Sequence, residues 1–167
     1  MLAELVLRWL HIIGAAVLFG TGMGIAFFMV MAHRTRSPRI IAHVAGTVVI
    51  ADWVFTATAV IAQPLTGVLL AYTVGWPLDA PWLVVSIGLY LVTGAFWLPV
   101  VWIQHRLSHL ARIAAATESA LPGAYHRLYR IWFAFGFPAF IAVLAIIWLM
   151  VARPVPVSYT HLTLPTK

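Results

Sequence analysis

Four apolar stretches, roughly residues 5 to 32, 42 to 72, 82 to 105 and 130 to 152, constrain this chain more than any motif it contains. A hydrocarbon core about 30 Å thick is crossed by about 20 helical residues, and each stretch is at least that long. Lipid offers no partner for a bare backbone N–H or C=O, so a spanning segment is a helix or part of a closed barrel. The two-residue alternation of barrel strands is missing here. The expected fold is therefore all-α: an antiparallel, up-and-down bundle of four transmembrane helices whose first partner is the lipid bilayer.

Composition agrees, with 63% hydrophobic and 8% charged residues among 167 and a mean hydropathy of +1.01, which is membrane composition. The net charge of +6 invites a nucleic-acid reading, but the positions of the arginines argue against one. Arg34, Arg36 and Arg39 lie in the first connection, and Arg106, Arg112, Arg127 and Arg130 lie in or beside the third. The opposite side carries Arg8, Arg153 and the acidic Asp79. The positive-inside rule then puts the first and third connections in the cytoplasm and both termini outside. Trp9, Tyr72, Trp76, Trp82 and Trp148 mark the expected outer boundary, and Trp102, Tyr125, Tyr129 and Trp132 the inner one.

The connections differ in chemistry. His33 to Arg39 (HRTRSPR) is a short basic turn punctuated by Pro38, whereas Thr73 to Pro81 (TVGWPLDAP) holds two prolines and a glycine. In the third, Leu107, Leu110 and Ile113 continue at helical spacing, so the third helix is expected to run on until Pro122 and Gly123 break it. The first stretch is too long for the core of a cleavable signal, and Glu4 stands where a basic start is usual; it reads as a retained span. With no cysteine, thiolate metal sites and thiol nucleophiles are excluded. Residues 1–155 are expected to form one membrane domain. Residues 156–167 form a tail in which VSYTHLTLPT, from Val157, resembles the read-through of a sequencing adaptor, so His161 and Lys167 carry no functional weight.

Few polar groups fall inside the spans. Glu4, Arg8 and His11, at i, i+4 and i+7, share one face of the first helix that Ala15 and Gly22 continue inward. A flat cofactor could approach over those small residues, or the face is a packing groove with a Glu4–Arg8 pair at its edge. Ala16, Gly20 and Gly24 form a second small stripe, of the kind that packs helices closely within a chain or in a homo-oligomer or membrane partnership. Asp52 is the most expensive residue, because a carboxylate inside a span costs about 2.5 kcal/mol or more. It must face protein or water. Asp52, Thr56, Ala59, Gln63 and Gly67 line one side of the second helix, with His43 roughly opposite. An antiparallel hairpin brings Gln63 to the depth of His11, and Asp52 near Gly20 and Thr21.

His105 and His109 have the i, i+4 spacing of metal-binding imidazoles but lack a neighbouring glutamate and further ligands; no metal site is assigned. Pro64, Pro99 and Pro138 interrupt three spans, where bends can open a cavity that Trp53, Tyr90, Trp97 and Phe133 could line. Phosphate-binding glycine loops, serine triads and paired catalytic carboxylates are not found.

RWLHIIGAAVLFGTGMGIAFFM (Arg8 to Met29), ADWVFTATAVIAQPLTG (Ala51 to Gly67), WLPVVWIQHRL (Trp97 to Leu107) and RIWFAFGFPAFIAVLAIIWLM (Arg130 to Met150) together resemble a family of predicted bacterial integral membrane proteins of unknown function. The resemblance implies a bacterial inner membrane location. More distantly, LHIIG with small residues behind it is similar to the first helix of copper-resistance protein D and of the haem-dependent protoporphyrinogen oxidase. In the oxidase family a first-helix histidine is associated with haem, which the resemblance carries to His11 alone.

Two function classes follow. One is a haem-binding redox or electron-transfer protein, with His11 as an axial ligand to haem b, Arg8 beside a propionate and Gln63 in the pocket. The alternative is a small transporter or proton-coupled permease in which Asp52 titrates and Gln63 contacts the solute, although no repeat pair is discernible. An accessory subunit, whose polar groups serve assembly alone, is the background reading.

Overall fold

The computed structural model describes residues 1–154 and is built from four long helices. We number them α1 (Leu2–Arg34), α2 (Pro38–Val74), α3 (Pro81–Ala116) and α4 (Gly123–Ala152). The shortest has 30 residues, about 45 Å at 1.5 Å per residue, so all four can cross a bilayer and overhang it. The tail beyond 154, including the adaptor-like segment, lies outside the described residues.

Local chemistry sets the ends. Ser37 caps α2 by accepting from the Ile40 N–H, and Pro38 occupies the first helical turn, where its missing N–H is harmless. Gly75 ends α2 in the left-handed conformation, φ +83°, which lets the Gly75 and Trp76 N–H groups both reach the Ala71 carbonyl. Pro81 starts α3, which continues past the apolar run to Ala116, as the leucine spacing implied. Pro122 immediately precedes α4. These short connections make sequential helices antiparallel neighbours.

The helix expected over 42–72 is not uniform: Asp52–Thr56 forms a π-helical turn. The turn holds one extra residue, and Asp52 and Thr56, four apart on one side, are both buried, 4% and 6% exposed, with Ala59 next along the stripe. The polar stripe does face the interior.

Packing is uneven along the bundle. At the end bearing the basic connections, Met29, Ile41, Leu107 and Tyr125 are fully buried in a core shared by all four helices. Trp132, also on α4, belongs to that core about two turns past Tyr125. Beyond it α1 and α4 meet sparsely, chiefly where Phe19 stacks on Phe140 with centroids 5.2 Å apart. A smaller cluster of Ala71, Trp82 and Leu83 closes the opposite end. Large apolar side chains such as Leu91, Leu98, Ile141 and Trp148 point outward, as a lipid-facing surface requires.

Candidate functional site

The α1–α2 hairpin is fastened by two reciprocal notches. On α1, Gly14 leaves room for the Gln63 side chain, whose Nε2 lies where a Cβ would stand and donates to the His11 carbonyl at 2.9 Å. On α2, Gly67 leaves room for the His11 ring, whose Cε1 is 3.0 Å from the position of an added Cβ. The His11 Nδ1 shares a hydrogen bond with Thr66 Oγ1 at 3.0 Å. His11 and Gln63 are thus neighbours at one depth, as the hairpin register implied, but the contact runs through the His11 backbone. Thr66 was not singled out in the sequence; its one-residue offset from the Gln63–Gly67 stripe hid it.

Arg8 is occupied elsewhere, donating to Glu4 at 2.6 Å on the exposed face. A haem of the kind the distant resemblance implies does not fit this arrangement. The His11 ring is pressed onto α2 at Gly67, and His11 does not line the bundle's cavity. Among the described residues no group of three or more His, Cys, Asp or Glu is close enough to hold a metal ion.

Asp52 finds its hydrogen-bond partner on α3, while the π turn it opens also packs against α1. Trp97 Nε1 donates to Asp52 Oδ1 at 3.3 Å, and the Thr56 hydroxyl lies beside that carboxyl without a hydrogen bond of acceptable geometry. The indole N–H can only donate, so the pair satisfies an intramembrane acceptor with an intramembrane donor.

Between these contacts and the sparse α1–α4 seam lies a cavity of about 370 Å³. Ala15, Phe19, Gly22 and Met23 line it from α1, Thr56, Val60 and Gln63 from α2, Tyr90, Gly94 and Trp97 from α3, and Trp132, Phe133, Gly136, Phe137 and Phe140 from α4. Met23, Phe133 and Phe137 are also exposed, so the cavity opens toward lipid along the seam. Its walls are largely apolar, and most of the polar groups they contain are already bonded, whereas the Thr56 hydroxyl and the Trp132 Nε1 have no partner among the described residues. Tyr90 donates to the Val60 carbonyl, Thr93 to Leu89, Gln63 to His11 and Trp97 to Asp52. Of the aromatics expected around a cavity, Tyr90, Trp97 and Phe133 are there, while Trp53 faces outward.

The Ala15–Gly22 face thus borders open space rather than a packed helix. The Ala16–Gly20–Gly24 stripe, expected to pack, meets nothing among the described residues at its glycines: a Cβ at Gly20 or Gly24 would have no neighbour within 4 Å there. His105 accepts from Trp53, and His43 and His109 are exposed.

Four spanning helices, an apolar exterior and a lipid-side cavity define a multi-pass integral membrane protein. The chain belongs to the predicted integral membrane protein family DUF2269, whose model matches residues 5–154. No curated protein and no solved structure matches it.

Proposed function

We propose that this protein is a membrane-embedded binding protein, in the manner of a small carrier, for a hydrophobic molecule drawn from the bilayer into the α1–α4 cavity. The observation that carries this reading is a space of about 370 Å³ whose aromatic and glycine-smoothed walls open sideways to lipid. Pockets of this size with few free polar groups recognise ligands by apolar surface and shape. Among the two classes weighed from sequence, the cavity favours binding and transport over haem redox chemistry, since its lining contains no histidine. It also narrows the solute: with no charged residue in the lining, an ionic solute would give up its hydration without a counter-charge, and the free polar groups are the Thr56 hydroxyl and the Trp132 N–H. A proton-coupled variant draws support from the Asp52–Trp97 hydrogen bond, which ties a titratable group to an indole in the cavity wall.

Filling the cavity tests the reading. A Cβ at Gly22 or Gly136 meets nothing within 4 Å, so Gly22→Leu and Gly136→Leu add bulk without a clash at the first carbon. Wild-type protein purified from membranes should yield a hydrophobic compound on organic extraction, in near-stoichiometric amount, that is lost from the filled variants. Equal extracts from wild-type and filled protein would reject the cavity as a binding site.

A further inference from the structure

A second concave surface lies on the other side of the bundle. Trp53 and Ile61 of α2 face Leu98, Trp102 and His105 of α3 across a lipid-facing groove of about 500 Å³, separated from the inner cavity by Val60 and Trp97, which line both. His105 is its polar end. Trp53 Nε1 donates to His105 Nε2 at 3.0 Å, and because an indole nitrogen is a donor only, the His105 Nε2 must be the bare acceptor. The imidazole proton is thereby fixed on Nδ1, where it forms no hydrogen bond to the described residues. The groove thus ends in one neutral, oriented donor that wants an oxygen acceptor.

The same face of α3 carries a further imidazole and then a fixed cation. His109 and Arg112 follow His105 at i+4 and i+7, about 6 and 10 Å along the axis toward the end with the basic connections. The interfacial layer on each side of a bilayer is about 5–7 Å thick, so the steps match the order of groups in a phospholipid: acyl chain, ester carbonyl, phosphate. Charge agrees with that order. The chain has four acidic residues, and at this end Glu118 is engaged by Arg39 at 2.7 Å, leaving Arg112 without a carboxylate partner among the described residues.

We infer that the α2–α3 groove is a specific site for an anionic phospholipid of the leaflet beside the basic connections, with an acyl chain between Trp53 and Trp102, an ester carbonyl at His105 Nδ1 and the headgroup phosphate at His109 and Arg112. The site is independent of the inner cavity and of what that cavity carries.

Delipidated full-length protein in mild detergent, offered phosphatidylglycerol and phosphatidylcholine with identical acyl chains, gives a direct test when retained lipid is counted by native mass spectrometry. Wild type should retain phosphatidylglycerol in preference. Arg112→Gln should lower that retention about fivefold, the effect of one cation near an anionic lipid surface, and Trp102→Ala should lower retention of both lipids. All these side chains are exposed, so the variants should fold. Equal retention of the two lipids, a preference that survives Arg112→Gln combined with His109→Gln, or indifference to Trp102→Ala would each overturn the site.

Discussion

The His11 ring rests in the space that Gly67 leaves vacant, its Cε1 3.0 Å from where a side chain at that position would begin. One helix thereby approaches the other at the same depth at which Gln63 enters the notch at Gly14. Small residues serve membrane helices in this way: where lipid removes the hydrophobic driving force, close packing and interhelical hydrogen bonds hold the pair.

Gly67→Ala should therefore destabilise the hairpin, because the added methyl group forces the His11 ring to move against its Thr66 hydrogen bond. Overpacking of this kind costs about 1–3 kcal/mol, read as a lowered Tm in detergent. Gly22→Ala is the control, since a Cβ there meets nothing within 4 Å. Its Tm should stay level or rise, alanine being favoured over glycine in a helix by about 1 kcal/mol. Equal losses in the two variants would show that Gly67 is not a contact point.

Asp52 and Trp97 should behave as a coupled pair. Asp52→Asn keeps an oxygen acceptor for the indole N–H and should be mild, whereas Asp52→Leu strands a buried donor at a cost of about 1–3 kcal/mol. Trp97→Phe removes that donor, so the double variant Asp52→Leu with Trp97→Phe should lose less than the sum of the single losses. Additive losses in a thermal-unfolding cycle would mean that the 3.3 Å contact contributes nothing.

Much of this was legible in the amino-acid sequence, and the omissions have physical causes. Length and hydropathy decide spans in lipid, so four helices followed directly, and the cost of burying Asp52 required its stripe to face inward. Two features were not accessible. The π turn at Asp52–Thr56 adds one residue to a helical turn without any proline or glycine to announce it, and Asp52, its first residue, accepts from Trp97 of α3. The other is the role of glycine. Gly14 and Gly67 admit a partner side chain, whereas Gly22, Gly94 and Gly136 border open space. Sequence alone shows the same missing Cβ in each case, and the local separation of the helices decides between them.

His11 gives the third prediction. With its Nδ1 engaged by Thr66 and its ring against α2, it acts as a fastener. Protein expressed with abundant haem should purify without a Soret band, and His11→Ala should lose stability by about 1 kcal/mol, the typical worth of one hydrogen bond. A Soret band in wild type that disappears from a folded His11→Ala variant would replace the fastener with a ligand and reopen the redox reading.

Orientation is the last prediction, and the absence of cysteine makes it clean to measure. Arg34, Arg36 and Arg39 flank the first connection and Arg106, Arg112, Arg127 and Arg130 the third, while the second carries Asp79 and no basic residue. Lys and Arg near span ends stay on the cytoplasmic side, so single cysteines at Ser37 and Thr117 should be protected from a membrane-impermeant thiol reagent in intact cells. A cysteine at Thr73, in the last turn of α2 before Gly75, should label. Disrupting the cells should expose all three, which separates sidedness from burial in the protein. The reverse pattern would invert the bundle, moving the tightly packed core around Leu107 and Tyr125 to the outer half of the bilayer. The α2–α3 groove would then face outer-leaflet lipid, with its chemistry unchanged.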